Sequence, residues 1–201
     1  MQMGFYFDQT RCTGCYTCVV ACKDWHDVPA GPASWRRMLT IEKGTYPNVF
    51  VAFLATACYH CVKPACVDAC PANAITKREQ DGVVVVDREA CLGKDCGICL
   101  EVCPYQAPQF GAEDDAKMQK CTLCYKRLGK NKKPICVDAC PMQALDAGPI
   151  EELQAKYGNT RQAEGFTYSV EMAPSVIFKP KKDTQNLPIK KIVVAPCSQT
   201  Q

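Results

Sequence analysis

The sequence predicts an α+β chain of two intertwined cysteine-rich modules, followed by an extended C-terminal segment. Three observations carry that reading. A nine-residue phrase is written twice, KPACVDACP at residues 63–71 and KPICVDACP at residues 133–141, and its core returns as TCVVAC at 17–22 and ICLEVC at 98–103. Each copy has further cysteines just upstream, so four motifs use sixteen of the 17 cysteines in 201 residues. The longest apolar runs, Val49–Ala55 and Val83–Val86, are strand-sized and end at polar residues.

Taken in order, the motifs are Cys12-x2-Cys15-x2-Cys18-x3-Cys22, then Cys58-x2-Cys61-x4-Cys66-x3-Cys70-Pro71. The third is Cys91-x4-Cys96-x2-Cys99-x3-Cys103-Pro104, and the fourth Cys121-x2-Cys124-x11-Cys136-x3-Cys140-Pro141. In each, the last two cysteines stand at i and i+4, which share a face on a helical turn. In two-cluster ferredoxins the cysteine before the proline ligates the other cluster, so such motifs work in pairs. Four motifs make two pairs. The reading is therefore two intertwined bacterial-ferredoxin-like modules with short strands and helices, holding four [4Fe-4S] clusters, and an extended C-terminal tail.

Two alternatives compete with it. Zinc closes one tetrahedral site from isolated Cys-x2-Cys pairs and has no use for a fourth cysteine followed by proline. A disulfide scaffold belongs to short secreted chains. Here the N-terminal MQMGFYFDQTR shows no basic region followed by a long apolar run, so no signal peptide is expected. No stretch approaches the ~20 apolar residues of a membrane span.

Between the motifs, residues 28–46 read as an inserted loop, rich in Pro and Gly early on. Ala74–Lys77 and Val83–Val86 predict a β-hairpin turned at Gln80-Asp81-Gly82. IEELQAKYG after Gly148-Pro149 predicts a capped helix, with Pro149 at its start, Glu151 and Glu152 near the positive end and Gly158 as terminator. One four-cluster domain spans 1–157, its first module built from about 1–57 and 104–157 and its second from about 58–103. Residues 158–201 form the tail, with strand-like phrases at 175–179 and 189–195, expected to pack on a partner. Its Lys- and Pro-rich stretches argue against a separate folded domain.

The formal charge of +3 counts every cysteine as neutral. Four thiolates on an oxidised cubane leave about −2 per site, so four sites would turn the balance to about −5. The basic residues then read as charge compensation, and no nucleic-acid partner is expected.

Other residues invite functional readings and are assigned plainer ones. His26 and His60, the only histidines, read as packing or surface residues because cysteine fills all the ligand places. The basic run Lys126–Lys133 reads as a solvated loop, with partner docking or a raised potential as the alternative. Trp25, Trp35 and Tyr105 read as packing residues. Asp68 and Asp138 read as solvent-facing helix positions, and Cys197 as a free thiol.

The phrases GFYFDQTRCTGCYTCVVACKDW, KREQDGVVVVD, CPYQAPQF, KCTLCYKR and KKPICVDACPMQALDAGPIEEL resemble the iron–sulfur subunit of the dimethyl sulfoxide reductase family of molybdopterin oxidoreductases. The resemblance covers roughly residues 4–157. It implies a ligand set for each cluster: Cys12, Cys15, Cys18 and Cys140 for the first, and Cys22, Cys121, Cys124 and Cys136 for the second. Cys58, Cys61, Cys66 and Cys103 would hold the third, and Cys70, Cys91, Cys96 and Cys99 the fourth. Motif three departs from the family pattern, with four residues between Cys91 and Cys96 where two are common.

The resemblance implies a non-catalytic subunit relaying electrons between a molybdopterin-containing catalytic subunit and a quinone-reactive membrane anchor. Two other readings stand beside it, a free-standing polyferredoxin acting as a diffusible carrier and a soluble two-subunit enzyme without an anchor. A diffusible carrier would be expected to show strong one-sided charge, which the composition does not.

Overall fold

A computed structural model describes residues 1–194. The chain opens with strand β1 (Met3–Asp8) and helix α1 (Thr17–Trp25). Two ten-residue strands follow, β2 (Arg36–Thr45) and β3 (Asn48–Ala57). Next come the single turn α2 (Ala65–Asp68), the short strands β4 (Ile75–Lys77) and β5 (Val84–Val86), and the turns α3 (Ile98–Glu101), α4 (Tyr125–Leu128) and α5 (Ile135–Asp138). The chain ends in β6 (Leu145–Pro149), α6 (Ile150–Tyr157), β7 (Val176–Lys179) and β8 (Ile189–Val194). Short strands and short helices make a mixed α+β fold. Among the described residues no helix is long and apolar enough to cross a membrane.

Three sheets organise it, with strand orders β6-β1-β7, β3-β2-β8 and β4-β5. β1 is buried at every position because it lies between two partners. It runs antiparallel to β6, with Met3 opposite Pro149, and parallel to β7, with Phe5 opposite Val176. That pairing brings the start of the chain against the segment that follows motif four. α1 packs on α5, and α2 packs on α3, so motif one meets motif four and motif two meets motif three.

The hairpin of β4 and β5 forms where the Asp-Gly turn predicts it, with Gly82 at a φ of 67° and its N–H donating to Arg78 O at 2.9 Å. α6 likewise starts directly after Pro149, carries Glu151 and Glu152 in its first turn and stops at Gly158.

Two expectations need correction. The loop expected over 28–46 holds only to Trp35; from Arg36 the chain is β2, paired in register with β3 from Arg36 opposite Ala57 to Thr45 opposite Asn48. The extended tail is also not what the described residues show. Val176, Ile177 and Phe178 are buried and complete this chain's own sheet on β1, while β8 adds an edge to β2. The Gln9 side chain ties the returning segment down, donating to Phe53 O and Glu164 O and accepting from Glu164 N at 2.9–3.1 Å. Cys197 lies outside the described residues.

The main core mixes Phe5, Phe7, Met38, Ile41, Leu54, Leu123 and Phe178 with Cys18, Cys58, Cys121 and Cys136. The motifs are therefore part of the packing and not an appendage to it.

Candidate metal centres

Three of the four motifs end on one local construction. Cys66, Cys99 and Cys136 sit in the single turns α2, α3 and α5, and Cys70, Cys103 and Cys140 follow directly after. Pro71, Pro104 and Pro141 then bar continuation of the helix. Two residues on, Asn73, Gln106 and Gln143 take left-handed φ values of 50°, 48° and 49°. Their N–H groups donate to the carbonyls of Cys70, Cys103 and Cys140 at 3.1, 3.0 and 3.0 Å. The reversal turns the next residue back onto the thiol. Ala107 N–H donates to Cys103 Sγ at 3.5 Å and Ala144 N–H to Cys140 Sγ at 3.3 Å.

That next residue is alanine in all three copies, and Ala74, Ala107 and Ala144 are buried. A donor on sulfur favours the thiolate over the thiol. The pentad Cys-Pro-x-Asn/Gln-Ala stands three times in the sequence, and that repetition is the one sequence signal from which these donors are readable. Motif one differs: α1 runs on through Cys18 and Cys22, both buried.

Two of the four expected sets of thiols line a common space. Cys12, Cys15, Cys18 and Cys140 line one, walled by Phe7, Met38 and Leu145. Cys58, Cys61, Cys66 and Cys103 line another, beside Tyr59 and Lys120. Burial pushes the Cys22 thiol up to about 12; Arg36 opposes the rise, and negative charge on Cys136 and Cys124 adds to it. Burial raises the Cys99 thiol to about 11, and charge on Cys91, Cys96 and Cys70 adds to that.

Charge on one set of thiols also bears on the next. After burial and the opposing pull of Arg36, charge on Cys136 raises Cys18. Charge on Cys58 is felt at Cys121, behind burial, Arg36, Cys22 and Cys136. Charge on Cys99 is felt at Cys66, behind burial, Cys58, Lys120 and Cys103.

The sixteen described cysteines are all free thiols. Among the described residues no three Cys, His, Asp or Glu converge to hold a single metal ion, the geometry that zinc needs, with sulfur about 2.3 Å from one point. A second observation fits an anionic group: Arg36 is buried among Cys18, Cys22, Cys121 and Cys136, and its Nη2 has no partner.

The longer gap in motif three is absorbed by a turn. Gly93 takes a φ of 99°, its N–H donates to Cys91 Sγ at 3.4 Å, and its carbonyl accepts from Cys96 N–H at 3.3 Å. Met118 N–H gives Cys91 Sγ a second donor, also at 3.4 Å. His26 packs as expected, its ring tilted against Trp35 at 4.5 Å, and its Nε2 also lies 3.3 Å from Cys124 Sγ. His60 is a fully buried packing residue whose Nδ1 accepts from Val84 N–H at 3.0 Å.

The basic run is more structured than a solvated loop. It begins in α4, where Arg127 lies over Trp25 and pairs with Asp138, and Lys133 pairs with Asp146 at 2.8 Å. Tyr105 stacks on Phe166, and its hydroxyl accepts from Ser169 N–H at 3.1 Å.

Groups of thiols ringing spaces of this kind define a protein built around several iron–sulfur centres. Two family models, each described as a 4Fe-4S dicluster domain, match residues 11–75 and 49–150. Over 193 residues the sequence is 42% identical to YnfG of Escherichia coli K12, a probable anaerobic dimethyl sulfoxide reductase chain, covering 92% of this chain and 91% of that one. It is 42% identical over 192 residues to a chain of the anaerobic dimethyl sulfoxide reductase of the same strain, with the same coverage. It is 35% identical over 193 residues to the formate dehydrogenase iron–sulfur subunit of Wolinella succinogenes, covering 82% of this chain and 94% of that one. The chain belongs to the 4Fe-4S dicluster family, among the iron–sulfur subunits of the dimethyl sulfoxide reductase type, which carry electrons and do not transform substrate.

Proposed function

We propose that this chain is the wire of a membrane-linked complex, relaying electrons through four [4Fe-4S] clusters between a molybdopterin catalytic subunit and a quinone-reactive anchor. In this reading the four groups stand in single file, and the observation that supports it is the crossing of the last cysteine: Cys140 lines one space with Cys12, Cys15 and Cys18, and Cys103 another with Cys58, Cys61 and Cys66. Cys12, Cys15, Cys18 and Cys140 would hold the first cluster, and Cys22, Cys121, Cys124 and Cys136 the second. Cys58, Cys61, Cys66 and Cys103 would hold the third, and Cys70, Cys91, Cys96 and Cys99 the fourth. When bound, such clusters supply one-electron uptake and release at potentials set by charge, hydrogen bonds to sulfur and exposure.

The rest is the work of this chain's own residues. Backbone N–H groups of Gly93, Ala107, Met118, Leu123 and Ala144 donate to ligand sulfurs. Phe7, Met38 and Leu145 supply an apolar wall to the first group. The crossing of Cys140 to motif one, and of Cys103 to motif two, makes each pair of motifs one module. In this reading the first module takes about 1–57 and 104–157 and the second about 58–103.

Both ends of the file carry exposed apolar side chains suited to a partner. Val20 and Met142 lie beside motifs one and four, and Leu92 and Leu100 lie within motif three. The catalytic subunit would cover the first pair and the anchor the second.

Anaerobic iron and sulfide analysis of the purified complex, corrected for the partner's own metal, should give about sixteen of each per chain. About eight of each, at full occupancy, would leave only two clusters and defeat the proposal. Crossing has its own test. Cys140→Ser should change the paramagnetic signal of the centre held by Cys12, Cys15 and Cys18, and spare that of Cys121, Cys124 and Cys136. The reverse pattern would show that the motifs do not exchange their last cysteine.

A further inference from the structure

Arg36, the first residue of β2, is 2% exposed. A guanidinium cannot shed its proton to escape burial, and a buried charge normally needs a partner. None of the ion pairs among the described residues includes it. Its Nη1 makes one long bond, 3.4 Å to Ala55 O, its Cζ lies 4.9 Å from the centre of the Phe5 ring, and its Nη2 has no partner.

Lys120 shows what a satisfied buried cation looks like in the same core. It is equally buried, and its Nζ donates to Val84 O and, at 3.2 Å, to Cys121 O. Arg36 has no such pair of short carbonyl contacts. The charges that act on it most strongly are instead those of thiols. Burial alone would lower its affinity for the proton, yet charge on Cys136, Cys18, Cys121 and Cys22 more than reverses this. Those four thiols belong to two groups, Cys18 to the first and the other three to the second.

We propose that Arg36 is a redox-tuning residue shared by the first and second metal centres, its guanidinium being the fixed counter-charge that holds both at a higher potential than a neutral side chain would. The inference rests on the iron–sulfur reading above. Each reduction adds a negative charge beside a cation that cannot leave or be neutralised. At low local dielectric that cation favours the reduced form over the oxidised one. Because one guanidinium faces both groups, it moves the first two steps of the path together. The four thiols that bear on it most strongly include none from the third or fourth group.

The test is a potentiometric titration of the intact complex, followed by paramagnetic resonance, with iron analysis of every sample. In Arg36→Met the midpoints of the centres of motifs one and four should both shift negative, while those of motifs two and three stay in place. Arg36→Lys keeps the charge and should restore most of the shift. Unchanged midpoints with full iron in Arg36→Met would overturn the proposal, as would an equal shift of all four. Should Arg36→Met lose its iron, Arg36→Lys decides: full loading with near-native midpoints supports the charge role, and loss of iron there too reduces Arg36 to a packing residue. Wild-type complex lacking the first two centres would instead overturn the iron–sulfur assignment itself, a different failure.

Discussion

The thiol of Cys22 sits inside α1 with its proton held by burial. Cys61 and Cys66 are pushed up to about 12 by the same cause, and Cys18 to about 11. An ordinary thiol stands at 9.0. In the unloaded chain these groups are neutral at pH 7, so loading must expel their protons. Two opposite pH dependences follow. A folded-state value raised above the unfolded one gives stability that is full below pH 9 and fades as pH climbs toward about 12. The apo chain should therefore unfold more readily through that alkaline window. Loaded protein should do the reverse and release iron on acidification, because protons compete with metal for the thiolates. Denaturant midpoints of apo chain, and iron retained after dialysis, each against pH, would check the two; a common sign for both would count against thiolate ligation.

At the scale of elements, β7 shows why a local reading goes only so far. Val176, Ile177 and Phe178 form a short apolar run bounded by Pro174 and Pro180, so a strand is legible in the sequence. Its partner is not, since parallel pairing with β1 joins residues 5–8 to 176–179 and nothing local specifies that distance. β2 is hidden differently. It opens on Arg36 and Arg37 after a Pro- and Gly-rich stretch, and charged residues at a strand start mask the buried positions that follow, Met38 on one face and Ile41 on the other. The cysteine groups are readable because spacing fixes which thiols share a helical face. The N–H donors of Gly93, Ala107, Leu123 and Ala144 are local to their sulfurs, whereas the contacts of Met118 with Cys91 and of His26 with Cys124 depend on long-range placement. The structural role of β7 is open to measurement. Phe178 is 1% exposed against Phe166, and Phe178→Ala should destabilise the loaded chain by about 3–5 kcal/mol. Ile192→Ala, half exposed on the edge strand β8, should change stability by no more than about 0.5 kcal/mol. Anaerobic urea midpoints compare the two; equal effects would mean that β7 is no more integral than the sheet edge.

For the whole molecule the open question is which end of the file faces which partner. In the proposed arrangement the two modules would stack so that one thiol group lies at each extremity. Cys15 is exposed at the first, where hydrogen bonds from Thr17 lower its thiol and favour the thiolate. At the other end Cys91 has two backbone donors, and Leu92 stands 62% exposed beside it. The family resemblance favours the catalytic subunit at the first end and leaves the second for the anchor. Cys96→Ser removes one thiolate from the far group only. Exchange with the quinone pool should then fail, while the catalytic centre still equilibrates with the groups of motifs one and four at the native rate. Rapid-mixing traces of the intact complex, started once from the quinol side and once from the substrate side, separate the two halves of the path. The expected result is a block confined to the quinol-started trace. A block confined to the substrate-started trace would reverse the wire, and equal blocks from both sides would mean that Cys96 lies between the partners and not at an end.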